Sequence, residues 1–184
     1  MVHGLGDDFG LKHKLILNGY KCANLQFSHL KEFQLGSGHD DGTIAVWDVG
    51  MGKLFHKFEG KHDDACTGIT FSPVNHMLMG SVGKDKKVIF YDIFKSKKVV
   101  EDINMPEPCT CVSFNHDGYT IAVGTTEGNV FALDLRNLKQ PLKSLEGHHK
   151  SAISDVMFSH KRDKSKLTKE KSKTGLGNKN SFSS

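Results

Sequence analysis

Several absences narrow the reading before any motif does. No stretch reaches the run of about 18 apolar residues that a membrane-spanning helix needs, and the opening MVHGLGDDFGLKHKL carries acids and no long apolar core, so it does not read as a signal peptide. The four cysteines, Cys22, Cys66, Cys109 and Cys111, show no C-x2-C spacing of the kind a zinc site uses. Without a secretory signal they are expected as free thiols. No G-x-S-x-G motif occurs, and the eleven histidines scatter over turns instead of gathering beside a nucleophile. The expectation is an intracellular chain that is not an enzyme, with no metal and no cofactor.

At 184 residues and 37% hydrophobic content the chain has material for one or two domains. Its formal charge of +4 is unevenly spread. Residues 160–184 hold eight Lys or Arg against two acids, whereas residues 1–159 hold 17 against 19. That basic tail, rich in Lys, Ser and Gly and poor in apolar residues, reads first as a disordered tether. A second reading is electrostatic docking on an acidic surface. It has no interleaved aromatics to stack on bases, so nucleic acid is not the expected partner.

What the chain does contain is a repeat. DDGTIAVWD, Asp40 to Asp48, returns as KDKKVIFYD ending at Asp92 and as TEGNVFALD ending at Asp134. A second phrase keeps the same beat: NLQFS, GITFS, CVSFN and DVMFS place Phe27, Phe71, Phe114 and Phe158 at intervals of 44, 43 and 44 residues. A period of about 40 to 45 residues with strand-like phrases marks a propeller blade of four strands. Alternating apolar residues and short turn signals divide the second unit into TGITFS, MLMGSV, KVIFYD and KSKKVVEDI, joined closely enough for an antiparallel meander. Cys22, Cys66, Cys109 and Ile153 each stand five residues before a repeating phenylalanine, a position expected to be packed.

These phrases resemble the WD repeats of β-propeller proteins, with Trp47-Asp48 as the signature dipeptide and Tyr91-Asp92 and Leu133-Asp134 as degraded copies. The resemblance implies an all-β fold, a partial propeller of about three four-stranded blades plus one extra strand. Residues 22–159 would form the blades (22–58, 67–102, 110–145 and a strand over 152–159), flanked by a poorly defined segment, 1–21, and the tail. Within 1–21, KLILN reads as a remnant strand. The resemblance also implies a hydrogen-bonded staple in each blade, built from His62 and His149, the turn acids Asp41, Asp85 and Glu127, and Trp47 or Tyr91. Asn18 and Met105 stand where two further histidines would be, so no blade is expected to keep the whole set. The partner-binding rim implied by family geometry is Asp40, Ala65, Lys84, Pro108 and Thr126.

A closed ring takes roughly 4 to 8 blades. Three blades suggest a fragment or short isoform of a longer protein, or a chain completed by another copy of itself through its open blades. Longer stretches, among them GITFSPVNHMLMGSVGKDKKVIFYD and LDLRNLKQPLKSLEG, are similar to the last blades of WD-repeat adaptors of the gamma-tubulin ring complex. That likeness implies a scaffold with protein partners at the centrosome, the spindle or the gamma-tubulin complex, in the cytoplasm and cytoskeleton and not at a membrane. A rival reading comes from Asp134-Leu135-Arg136, which resembles the box some WD-repeat proteins use to dock on a cullin-type ubiquitin ligase, with Arg136 as the docking residue. The third reading is an inert truncated product.

Overall fold

The structure is a computed structural model, and it describes residues 2–3, 11–17, 19–95, 98–138, 142–147 and 151–159. Strands β1 (Val2–His3) and β2 (Leu11–His13) form a small antiparallel pair. Blade 1 is β3 (Cys22–Phe27), β4 (Gln34–His39), β5 (Ile44–Asp48) and β6 (Lys53–Phe58). Blade 2 is β7 (Cys66–Phe71), β8 (Leu78–Gly83), β9 (Lys87–Asp92) and β10 (Lys98–Asn104). Blade 3 is β11 (Cys109–Phe114), β12 (Thr120–Thr125), β13 (Val130–Asp134) and β14 (Lys143–Leu145). Each is a four-stranded antiparallel meander with its strands in sequence order.

The blades stand side by side because β3 packs along β7 and β7 along β11. The core lies between sheets, and the period-2 alternation of each strand assigns its residues to one neighbour or the other. On β9, Ile89 and Tyr91 join Ile44, Val46 and Phe58 of blade 1, whereas Val88 and Phe90 join Ile121, Val123 and Leu133 of blade 3. Each fully buried large side chain contributes about 1.5 to 3 kcal/mol relative to exposure. These junctions therefore supply most of the cohesion.

Two glycines show how closely the sheets meet. A β-carbon at Gly38 of blade 1 would lie 2.6 Å from Cys66 Sγ of blade 2, and one at Gly124 of blade 3 would lie 2.7 Å from Ile153 Cγ2. Ile153 thus occupies, against blade 3, the place that Cys66 takes against blade 1. The first strand of every blade carries the same register shift, at Cys22/Asn24, Cys66/Gly68 and Cys109/Cys111. Such a bulge bends the strand and increases its twist.

Three expectations are corrected here. Residues 152–159 form no strand: the backbone N–H of Ile153 donates to Thr125 O at 3.0 Å, but among the described residues no neighbouring strand completes a ladder. KLILN is likewise not a strand over its described residues; Leu15 and Leu17 pack instead against Leu35, Ala45, Trp47 and Val49. Finally, Cys22 is exposed while Cys66 and Cys109 are fully buried, because no blade among the described residues covers the first strand of blade 1. The expected tail, 160–184, lies outside the described residues.

Candidate binding rims and blade staples

The turns β4–β5, β8–β9 and β12–β13 gather at one end of the blades and form the upper rim. There the backbone N–H groups of Asp40, Lys84 and Thr126 donate to the carbonyls of Lys21, Ala65 and Pro108, all at 3.0 Å. The five rim residues expected from the sequence therefore sit at equivalent junctions, with Ala65 bonded to Lys84 and Pro108 to Thr126. Asp40 Oδ1 accepts a further bond from Lys21 N at 3.0 Å. Asp40 and Lys84 are exposed, and Ala65, Pro108 and Thr126 are half-buried. Beside them Lys87 Nζ pairs with Asp63 at 2.7 Å.

Beneath this rim lies the staple of blade 2. The Nδ1–H of His62 donates to the Asp85 carboxylate at 2.9 Å, His62 Nε2 meets Ser81 Oγ at 2.7 Å, and that oxygen lies 3.2 Å from the Tyr91 hydroxyl. Asp85 also accepts from Asp63 N and Lys87 N, tying the turn to the incoming loop. Blade 2 thus closes a hydrogen-bonded set with Tyr91 in place of tryptophan. Asp85, His62 and Ser81 follow the hydrogen-bond order of a catalytic triad. Ser81 is nevertheless fully buried and shares its oxygen with Tyr91, so it presents no nucleophile to a substrate arriving from solvent.

Blade 1 builds its staple differently. Trp47 Nε1–H donates to Ser37 Oγ at 2.8 Å, and the imidazole meeting that oxygen at 3.0 Å belongs to His39, on β4 of the same blade. Because indole is a donor only, the Ser37 hydroxyl is free to donate to His39 Nε2. His39 Nδ1 is then left buried without a hydrogen-bond partner. Burial pushes the His39 pKa down, a shift partly opposed by the nearby Asp41 and Asp40 charges. Asp41 does not reach an imidazole; its carboxylate accepts from the backbone N–H and the hydroxyl of Thr43.

Blade 3 replaces the polar set altogether. Met105, Val123 and Leu133 stand at the positions of His62, Ser81 and Tyr91, and all three are buried in one apolar cluster. Glu127 is exposed and is corrected as a staple residue. Glu107 ties the turn instead, accepting from the Thr125 hydroxyl and, at 2.7 Å, from Asn129 Nδ2. His149 lies outside the described residues. Sequence reasoning missed both His39 and Glu107. A histidine two residues after the serine in QLGSGH, and an acid two residues beyond the missing histidine, are the signals that could have found them.

Arg136 is not part of the upper rim. Because β13 runs away from Thr126, the turn after it falls at the opposite end, the lower rim. There Arg136 grips Asp134 through two contacts of 2.9 and 2.7 Å and lies 4.9 Å from the Tyr119 ring centre. The guanidinium holds the Asp134 carboxyl down at about 2. The lower rim also exposes Phe33, Phe55 and Phe94 around a groove of about 300 Å³ that reaches Trp47. Among the described residues no cluster of His, Cys, Asp or Glu could hold a metal ion.

Three stacked four-stranded meanders, with a Trp-Asp dipeptide and a His-Ser-Asp-Tyr staple, define a WD-repeat β-propeller, present here in part. A chain in the crystal structure of a mitotic checkpoint complex shares this fold, with a TM-score of 0.69 at 17% identity over 78% of this chain and 42% of that one. The family model described as the nucleolar protein 10-like N-terminal domain, a β-propeller, matches residues 12–175, and the chain belongs to that family. Among curated proteins it is similar to protein NEDD1 of Homo sapiens, 37% identical over 85% of the chain, and to protein NEDD1 of Bos taurus, 39% identical over 74%. The chain spans 23% and 20% of the lengths of those two relatives.

Proposed function

We propose that the chain is a targeting scaffold of the gamma-tubulin adaptor kind, using its upper rim to place microtubule-nucleating complexes at the centrosome and spindle. The observation that carries this reading is the similarity to NEDD1 proteins over most of the chain, which adds to the likeness of its turn and linker wording to such adaptors. The rim geometry supports it physically. Loops held on a stiff frame lose little entropy when a partner binds, and here each rim turn is fastened by the same backbone bond and by its own carboxylate.

The test is localisation in dividing cells. A tagged chain is expected to concentrate at spindle poles, and Lys84→Glu is expected to disperse it without altering its thermal unfolding, because that side chain is exposed. A uniformly diffuse signal for the unaltered chain in mitosis overturns the proposal.

A further inference from the structure

The turn after the third strand is built alike in all three blades, yet it carries different side chains. Val49, Ile93 and Leu135 donate their backbone N–H groups to the carbonyls of Phe33, Met77 and Tyr119 at 2.8, 2.9 and 2.9 Å. These bonds make Phe33, Met77 and Tyr119 equivalent, and with them the runs Asp48-Val49-Gly50, Asp92-Ile93-Phe94 and Asp134-Leu135-Arg136. In blade 3 the parts act together. Arg136 holds both oxygens of Asp134, at 2.9 and 2.7 Å, and its guanidinium lies 4.9 Å from the centre of the Tyr119 ring. Blade 1 keeps the aromatic ring and the carboxylate, as Phe33 and Asp48, but has glycine at the arginine position. A β-carbon on Gly50 would stand 3.1 Å from Phe33 Cγ and 3.3 Å from Asp48 Oδ1. The ring and the acid that would flank a guanidinium therefore meet at that point.

Phe33 and Asp48 also border the lower-rim groove of about 300 Å³, which Phe55 of blade 1 and Phe94 of blade 2 line as well. The three phenylalanines are 56, 48 and 54% exposed, an apolar patch at a junction between two described blades. Its polar border is mostly made of acceptors. Glu32 adds a second carboxylate, with Lys31 beside it, and Gln34 Oε1 is buried without a hydrogen-bond partner. Asp48 Oδ1 accepts from the Met51 N–H at 2.9 Å.

We propose that this groove receives an arginine side chain from a protein partner, its guanidinium laid against Phe33 and paired with Asp48 as Arg136 is with Tyr119 and Asp134. An apolar side chain would cover the rings but leave the carboxylates without a counter-charge. A lysine ammonium is a compact, strongly hydrated charge, whereas the guanidinium is weakly hydrated, stacks flat on aromatic rings and donates in a fork that matches a carboxylate. The groove lies at the small end of the roughly 300 to 1,000 Å³ of ligand sites, which suits one extended side chain and not a helix.

The test is a titration of the full chain, labelled with nitrogen-15, with a short glycine-flanked arginine peptide blocked at both ends. Saturable shifts are expected at the backbone amides of Phe33, Asp48 and Gly50, with half-saturation at about 1 mM, and the lysine counterpart is expected to bind about tenfold more weakly. Asp48→Asn keeps an oxygen for the Met51 N–H but removes the charge, and is expected to weaken the arginine peptide about tenfold. Gly50→Arg supplies the guanidinium from the chain itself and is expected to abolish binding. The absence of saturable shifts up to about 10 mM peptide overturns the proposal. So does an equal response to the lysine peptide, unchanged affinity in Asp48→Asn, or shifts confined to the upper rim. The site lies at the other end of the blades from Lys84, so these outcomes and the localisation test are independent.

Discussion

In blade 2 the three staple positions hold His62, Ser81 and Tyr91; in blade 3 the same positions hold Met105, Val123 and Leu133. Both sets are buried and both blades stand, so the fold requires neither chemistry in particular. It does require consistency. A fully partnered polar set loses little against an apolar one of similar volume, whereas a buried polar group deprived of its partner costs about 1 to 3 kcal/mol. Blade 1 lies between the two, with a staple closed by His39 that leaves Nδ1 orphaned. Blades 2 and 3 thus keep or replace the set as a unit, and blade 1 keeps its Trp47–Ser37–His39 chain at the expense of one unpartnered nitrogen.

The largest expected effect breaks that consistency in blade 2. His62→Ala removes the imidazole from between Asp85 and Ser81, two groups with almost no solvent access, and is expected to lower stability in urea unfolding by about 3 kcal/mol. Converting the three positions toward the blade 3 chemistry, with His62→Met, Ser81→Val and Tyr91→Phe together, leaves Asp85 its bonds from Asp63 N and Lys87 N, and is expected to cost less than that single change, about 1.5 kcal/mol. Should the triple variant be the less stable of the two, the rule drawn from the blades fails.

The same contrast marks what could be read from the sequence. The 44-residue beat of Phe27 and Phe71 marked the repeating blades, and alternation with turn signals marked the strands of the second and third, because apolar alternation and tight turns are local properties. His39 and Glu107 escaped notice because each replaces a residue that stands elsewhere in the repeat, a substitution through space that no linear register displays. Residues 152–159 misled for a related reason. Their wording matches a first strand, but a strand also needs a hydrogen-bonded partner, and a segment's own sequence does not state whether it has one. The exposure of Cys22 follows in the same way, because no described blade covers β3.

A smaller effect in blade 1 depends on pH. Burial lowers the folded-state pKa of His39, while Asp40 and Asp41 pull it up and Lys57 pushes it down, and the net direction is downward. As pH falls below about 6.5, the ordinary histidine value, the unfolded chain takes up a proton at this position before the folded chain does. Stability is therefore lost as pH falls from that value toward the folded pKa, and it is retained above it. His39→Gln is expected to flatten the slope of stability between pH 7.5 and 5.5 relative to the parent, measured by urea midpoints at each pH. An unchanged slope shows that the blade 1 imidazole does not titrate on unfolding.

The smallest effect leaves stability untouched and compares one repeat position in three blades. Cys22, Cys66 and Cys109 stand at the same place in β3, β7 and β11, but only Cys22 is exposed; burial pushes the thiols of the other two up to about 12. Thiolate is the reactive form. Iodoacetamide at pH 8 is therefore expected to modify Cys22 in the folded protein and to reach Cys66 and Cys109 only once denaturant opens the junctions, as followed by peptide mass spectrometry.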